Sequence, residues 1–205
     1  MSLVSHPTPI TLLQLYLLAA VAKGLVASVY LHWTAGRYGQ CFDDYHLNID
    51  RDGELYLCCK SLAEHKSHTW QRNSAAVGIS LCAGFEALAG NEPQDGSPPS
   101  IDFGPYEPTA MQLEKMALVV AVISKAAGID ISEEKVMTHA EAAIRDGYGP
   151  GSMDPELRWD LWYVRDYPGN GLVQGGRLLG GTHYDPNLKA LLCNRYWFYS
   201  HYQRI

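Results

Sequence analysis

Two histidines carry the first chemical signal in this chain. His32 closes the apolar, β-branched run Val26-Ala27-Ser28-Val29-Tyr30-Leu31, and Trp33-Thr34-Ala35-Gly36 follows it. Such a run reads as a buried strand, which Gly36 ends by permitting a sharp exit. His32 therefore stands at the C-terminal end of a strand, where open sheets place their ligands. His139 repeats the arrangement far downstream, after the short predicted strand Val136-Met137-Thr138, and an acid, Glu141, follows closely. Two histidines and one carboxylate make a catalytic zinc set, with three protein ligands and a fourth position left to water. Long separation between the ligands suits such a site, because strands bring distant residues together.

The elements that must position these groups are legible in order. Thr11 to Leu31 is apolar, but Gln14, Lys23 and Gly24 interrupt it. It divides better into a buried helix over Thr11 to Lys23, a Gly24 cap and the His32 strand than into a membrane span. Tyr45 to Asp50 alternates apolar and polar residues, which predicts a half-buried strand. Arg51-Asp52-Gly53 carries the Asp-Gly signal of a tight hairpin, and Glu54 to Cys59 returns. A polar loop with His65, His68, Trp70 and Asn73 leads to a third β segment, Ala76 to Cys82. Asn91 to Pro108, rich in Pro, Gly, Ser and Asp, reads as a surface loop. Thr109 is the N-cap candidate of a helix running to Ala127, with Met111, Leu113, Met116, Leu118, Val119, Val122 and Ile123 on its inner side and Gly128 closing it. Ala140 to Arg145 predicts one or two helical turns. A Gly-rich loop follows from Gly147 to Ser152, then the aromatic and apolar stretch Trp159 to Val164, then a Gly- and Tyr-rich extension over 166–205.

Composition limits the function classes. The chain has 205 residues, of which 47% are hydrophobic and 19% charged. That is an ordinary globular balance in a length that suits one domain with a real core. The net charge of −6, without any Lys/Arg block, argues against a nucleic-acid binder, which needs a basic footprint. It argues equally against holding an anionic polymer by charge alone. The five cysteines (41, 58, 59, 82 and 193) form no CxxC and are odd in number. They read as reduced thiols, with Cys58 and Cys82 packed in strands. The start, Met1 to Pro7, lacks the cationic region of a secretory signal, so the expectation is a protein made in the cytoplasm.

Four ordered blocks together carry a resemblance. They are His32-Trp33-Thr34-Ala35-Gly36, Tyr45 through Tyr56, Asn73-Ser74-Ala75-Ala76-Val77-Gly78-Ile79-Ser80-Leu81, and Thr138-His139-Ala140-Glu141. Over roughly Val26 to Val164 the chain resembles the type 2 N-acetylmuramoyl-L-alanine amidases. That superfamily includes phage lysozyme-type amidases, cell-wall recycling amidases and animal peptidoglycan recognition proteins. The resemblance implies an α/β fold in one domain, a mixed central sheet flanked by helices, with one zinc at the sheet's edge. It implies peptidoglycan as the partner, with hydrolysis of the amide between N-acetylmuramic acid and L-alanine. With no export signal seen and no separate wall-binding module, the expectation is action on the cell wall after release from the cytoplasm, in the manner of a phage or prophage endolysin. A non-catalytic recognition module and an antibacterial effector with the same chemistry are the rival readings.

By position, His32 and His139 match the family's two histidine ligands. Two acids compete for the third place. Asp154-Pro155 matches a common Asp-Pro pair, whereas Arg158-Trp159-Asp160 matches the family's basic-x-acid pattern, which favours Asp160. In that register Arg158 fills the place of a lysine that stabilises the tetrahedral oxyanion. Tyr45 matches a helper tyrosine after the first ligand. Some relatives carry a glutamate base at the third position of Gly-Ile-Glu, where this chain has Ser80. Glu141 is expected to orient a ligand. His68 matches a histidine in the substrate groove of the phage relatives, and Asn73, which opens the third block, is a further candidate for substrate binding. Trp70, Trp33 and Tyr148 are candidates for stacking on sugar or stem peptide.

Overall fold

The computed structural model describes residues 2–89, 101–132 and 134–147. Its elements in chain order are β1 (Thr8–Pro9), α1 (Leu12–Val21), β2 (Ser28–Trp33), β3 (Leu47–Ile49), β4 (Leu55–Leu57) and β5 (Ala76–Leu81). Then come β6 (Leu88–Ala89), β7 (Ile101–Asp102), a 3-10 turn (Gly104–Tyr106), α2 (Ala110–Ala127), β8 (Val136–Thr138) and α3 (His139–Asp146). Six strands form one mixed sheet in the order β1-β4-β3-β5-β2-β8. β3, β5, β2 and β8 run parallel; β4 pairs antiparallel with β3 across the hairpin at Asp52-Gly53, and β1 pairs antiparallel with β4. The α/β mixed-sheet class expected from the sequence is the one found.

Strand alternation gives the sheet two different faces. Val29, Leu31 and Trp33, Val77, Ile79 and Leu81, and Leu47 and Ile49 all join one apolar core with Leu15, Ala19, Met116, Val119 and Ile123 of the helices. That face is closed by α1 and α2, which pack on each other. Each of these helices starts with a capping box, Thr11 with Gln14 and Thr109 with Gln112, so their first N–H groups are satisfied in a defined place. Gln112 is itself buried, and its side-chain amide donates to the carbonyls of Ile49 and Cys82 at 3.0 and 3.2 Å. It ties the start of α2 to the ends of β3 and β5.

The opposite face is chemically different. The register places Tyr30, Gly78 and Met137 in one row and His32, Ser80 and Asn48 in the next. This face is polar and histidine-rich, and it lies under the loop between β4 and β5 and under α3.

Several expectations are adjusted. Tyr45 to Asp50 is not half-buried: Tyr45 through Ile49 are all buried, because β3 is an internal strand and its polar side chains are satisfied inside. Asn48, for example, donates to the Phe42 carbonyl at 3.0 Å. Cys58 and Cys82 lie just beyond strand ends rather than within them. The first helix stops at Val21, short of Gly24, which sits in the following turn. The stretch read as one surface loop contains β7 and the 3-10 turn, and its residues 91–100 lie outside the described ones. Among the described residues the four cysteines are free thiols, and no helix is long and apolar enough to cross a membrane.

Candidate active site

β2 and β8 are parallel neighbours with Leu31 opposite Thr138. The next residue of each strand path is His32 and His139, so the sheet itself brings the two together. Their ring centroids lie 4.9 Å apart, edge to face. His32 is fully buried and His139 half-buried. His139 is also the first residue of α3, where strand turns directly into helix. Glu141 accepts from the Thr138 N–H at 2.7 Å, and its own N–H donates to Thr138 Oγ1 at 3.1 Å. This reciprocal capping box fixes the point at which His139 leaves the sheet. Glu141 thus orients the backbone that carries His139.

Two further histidines complete a cluster. His68 lies 5.4 Å from His32 and 5.6 Å from His46, between ring centroids. It packs against Gly78, where a Cβ would come within 2.6 Å of its Cγ. Any side chain at Gly78 would expel that ring, so glycine is required there by close approach. Burial is the main cause that drives the His68 imidazolium far below its ordinary range, helped by the charges of His32 and His46. Its Nε2 is buried and has no partner among the described residues. Asn73 shapes the loop that holds it: Asn73 Oδ1 accepts from the N–H groups of His68 and Thr69 at 3.0 and 2.7 Å. Arg72 then anchors the loop, with a two-pronged ion pair to Asp146 of α3 and a 3.2 Å hydrogen bond to the Tyr30 hydroxyl.

His46 has a different role. The Gly78 N–H donates to its Nδ1 at 3.0 Å, so its Nε2–H must donate to the Glu64 carbonyl, 2.7 Å away. Both nitrogens are committed to backbone, and burial lowers its pKa to about 4. Between pH 6.5 and 4 the unfolded chain accepts a proton that folded His46 refuses. The stability held by the neutral ring is complete above about pH 6.5 and is lost as pH falls through that window, on the order of 3 kcal/mol in all. Denaturant unfolding across this range should show the loss, and His46→Gln should flatten that part of the profile. Parallel profiles for the two chains would contradict the assignment.

The remaining candidates separate clearly. Tyr45 is buried with its ring 5.1 Å from that of His32, and its hydroxyl donates to the Trp33 carbonyl at 3.3 Å. Trp70 is 64% exposed on the loop between β4 and β5. Trp33 is not on this face. Its ring is buried on the other side of the sheet against Phe103 and Gly84, as alternation along β2 demands. Ser80 stands opposite His32 in the β2–β5 register, and its buried Oγ has no partner among the described residues. Asp154, Arg158, Asp160 and Tyr148 lie outside the described residues, as does the 166–205 extension. Sequence reasoning missed Thr69 and the buried state of His46; an alternating pattern marks His46 as polar but does not show that its face is covered.

No three His, Cys, Asp or Glu side chains form a metal-holding group among the described residues. The donor set nevertheless fits part of a zinc site. Two imidazoles converge from adjacent strand ends, beside the buried, unpartnered His68 Nε2, and the third ligand expected from the sequence falls at 154 or 160. No curated protein and no solved structure matches the chain. The family model for N-acetylmuramoyl-L-alanine amidase matches residues 22–155. That span takes in His32, Tyr45, His68, His139 and Asp154 and ends before Arg158 and Asp160. With strand-end histidines meeting on the polar face of a mixed sheet, and with this match over most of its length, the chain belongs to the type 2 N-acetylmuramoyl-L-alanine amidase family.

Proposed function

We propose that this peptidoglycan amidase is zinc-dependent and hydrolyses the amide between N-acetylmuramic acid and L-alanine, as a lytic enzyme of the phage or prophage endolysin kind. The observation that carries the reading is the meeting of His32 and His139 at the ends of adjacent parallel strands. His32, His139 and Asp160 would hold the metal, with Asp154 the competing third ligand. Zinc bound there supplies a water of lowered pKa and a Lewis acid for the amide carbonyl. The lytic role is supported by His68, which matches a histidine in the groove of the phage amidases.

The chain's own residues divide the remaining work. The Arg158 guanidinium stabilises the oxyanion that develops on the carbonyl, and it keeps its charge at any working pH. Tyr45 packs on His32 and limits its ring to one orientation. Glu141 and Thr138 hold His139 where β8 becomes α3. Asn73 holds His68 in the groove, and exposed Trp70 offers a flat apolar surface to sugar or stem peptide.

Metal analysis should find one zinc per chain. Chelation should abolish turnover, and added zinc should restore it. Protein without stoichiometric metal, whose activity ignores the chelator, would contradict the zinc reading.

A further inference from the structure

Arg72 has no place in the chemistry above, yet its guanidinium reaches each element that carries the site. It lies on the β4–β5 loop, four residues beyond His68. Two of its nitrogens grip one carboxylate: Nε donates to Asp146 Oδ2, and Nη2 to Asp146 Oδ1 at 2.6 Å. Asp146 is the last residue of α3, the helix that His139 opens. Nη1 donates to the Tyr30 hydroxyl at 3.2 Å and lies 3.9 Å from Met137 Sδ. Tyr30 and Met137 stand opposite each other in the β2–β8 register, two residues before His32 and His139. We propose that Arg72 is a positioning residue that locks the β4–β5 loop, α3 and the sheet into one unit, and so sets where His68 and His139 stand relative to His32.

The loop's own backbone requires such a lock. Gln71 and Ala75, on either side of Arg72 and Asn73, have φ of 58° and 52°. Residues with a side chain rarely adopt this left-handed conformation, and it persists only where surrounding contacts hold it. Asn73 braces the loop against itself by accepting from two of its N–H groups. Arg72 braces it against α3 and the sheet.

The position of the loop matters to the histidines through Thr69, which is 1% exposed. Its Oγ1 lies 3.2 Å from His32 Nε2 and 2.9 Å from His68 Nδ1. A shift of the loop therefore moves a group that touches both rings, and a shift at Asp146 moves the helix that begins at His139. An ion pair at a partly exposed position adds little stability of its own. The contribution of this one is direction. A planar guanidinium fits a carboxylate through two parallel N–H bonds, which leaves its third nitrogen aimed at Tyr30. A lysine at this position would keep the charge and lose the fork. The expected effect on zinc rests on the reading of His32 and His139 as ligands.

The test uses Arg72→Lys, Asp146→Ala and Tyr30→Phe in the full chain, at a temperature where circular dichroism shows each folded. Arg72→Lys and Asp146→Ala should each lower kcat by about ten- to a hundredfold while KM changes by less than about threefold. Each should weaken zinc binding by about tenfold, read by competition with a chromophoric chelator. The double variant should be no worse than either single one, since both break the same contact. Tyr30→Phe should give a smaller loss in the same direction. In the metal-free chain, Arg72→Lys should quicken amide hydrogen exchange over 68–75 and 139–146 together. Arg72→Lys with the kcat and zinc affinity of the unmodified chain overturns the proposal. So does a raised KM at unchanged kcat, which would make Arg72 a substrate contact, and so do losses that multiply in the double variant. If Arg72→Lys does not fold, Asp146→Ala and Tyr30→Phe decide by the same readings. Failure of the unmodified chain to bind zinc would sink the metal reading alone, and the exchange and kcat measurements would still decide the role of Arg72.

Discussion

His32→Ala should yield a folded chain that binds no zinc and turns over peptidoglycan at least on the order of a thousandfold more slowly. Activating water and polarising the amide are together worth several kcal/mol, and each 1.4 kcal/mol or so is tenfold in rate. The fold should survive because β2 is held by its neighbours on both sides and by the apolar core beneath it. Loss of the ring still opens a hole on the polar face, so a moderate drop in stability accompanies the loss of activity. Circular dichroism, metal analysis and turnover on the same preparation separate the two effects. A folded variant with stoichiometric zinc and near-normal turnover would remove His32 from the site.

Asp160→Ala should likewise abolish zinc binding and turnover, whereas Asp154→Ala should retain both. The expectation comes from the Arg158-Trp159-Asp160 pattern, in which one segment supplies an acid to the metal and a cation to the oxyanion. Removing one of three ligands leaves a two-histidine site, and catalytic zinc takes three protein ligands. The family match ends at residue 155, so it includes the competitor and not the favoured acid. This makes the paired variants decisive between them. Zinc loss in Asp154→Ala alone would transfer the ligand role to Asp154 and leave Arg158 without its assigned function.

The sequence made the two ends of the site legible and left its middle hidden. His32 and His139 each follow a β-branched or apolar run, and strand ends are readable from local pattern. That the two strands are adjacent is a long-range fact, which came only through the resemblance and the sheet order. The helices were legible for the same local reason: both begin at a threonine with glutamine three residues on. Trp33 shows the limit. Alternation along β2 puts it on the face opposite His32, a consequence of period two that a list of aromatic candidates overlooks. Tyr45 through Ile49 show another, since an alternating segment reads as half-buried unless one knows that a loop covers its second face. Thr69 had no signal at all, because a lone threonine in a polar loop becomes meaningful only when both histidines are placed around it.

The bond that is cut tests the account most directly. A glycosidase would need two carboxylates flanking a glycosidic oxygen, whereas this site brings together two strand-end histidines suited to amide hydrolysis with a metal. Purified peptidoglycan digested with the zinc-loaded protein should release stem peptides bearing a free N-terminal L-alanine and leave the glycan strands whole, with no new reducing ends by mass spectrometry. New reducing-end muropeptides, cleavage within the stem, or binding of the wall without any cleavage would contradict it.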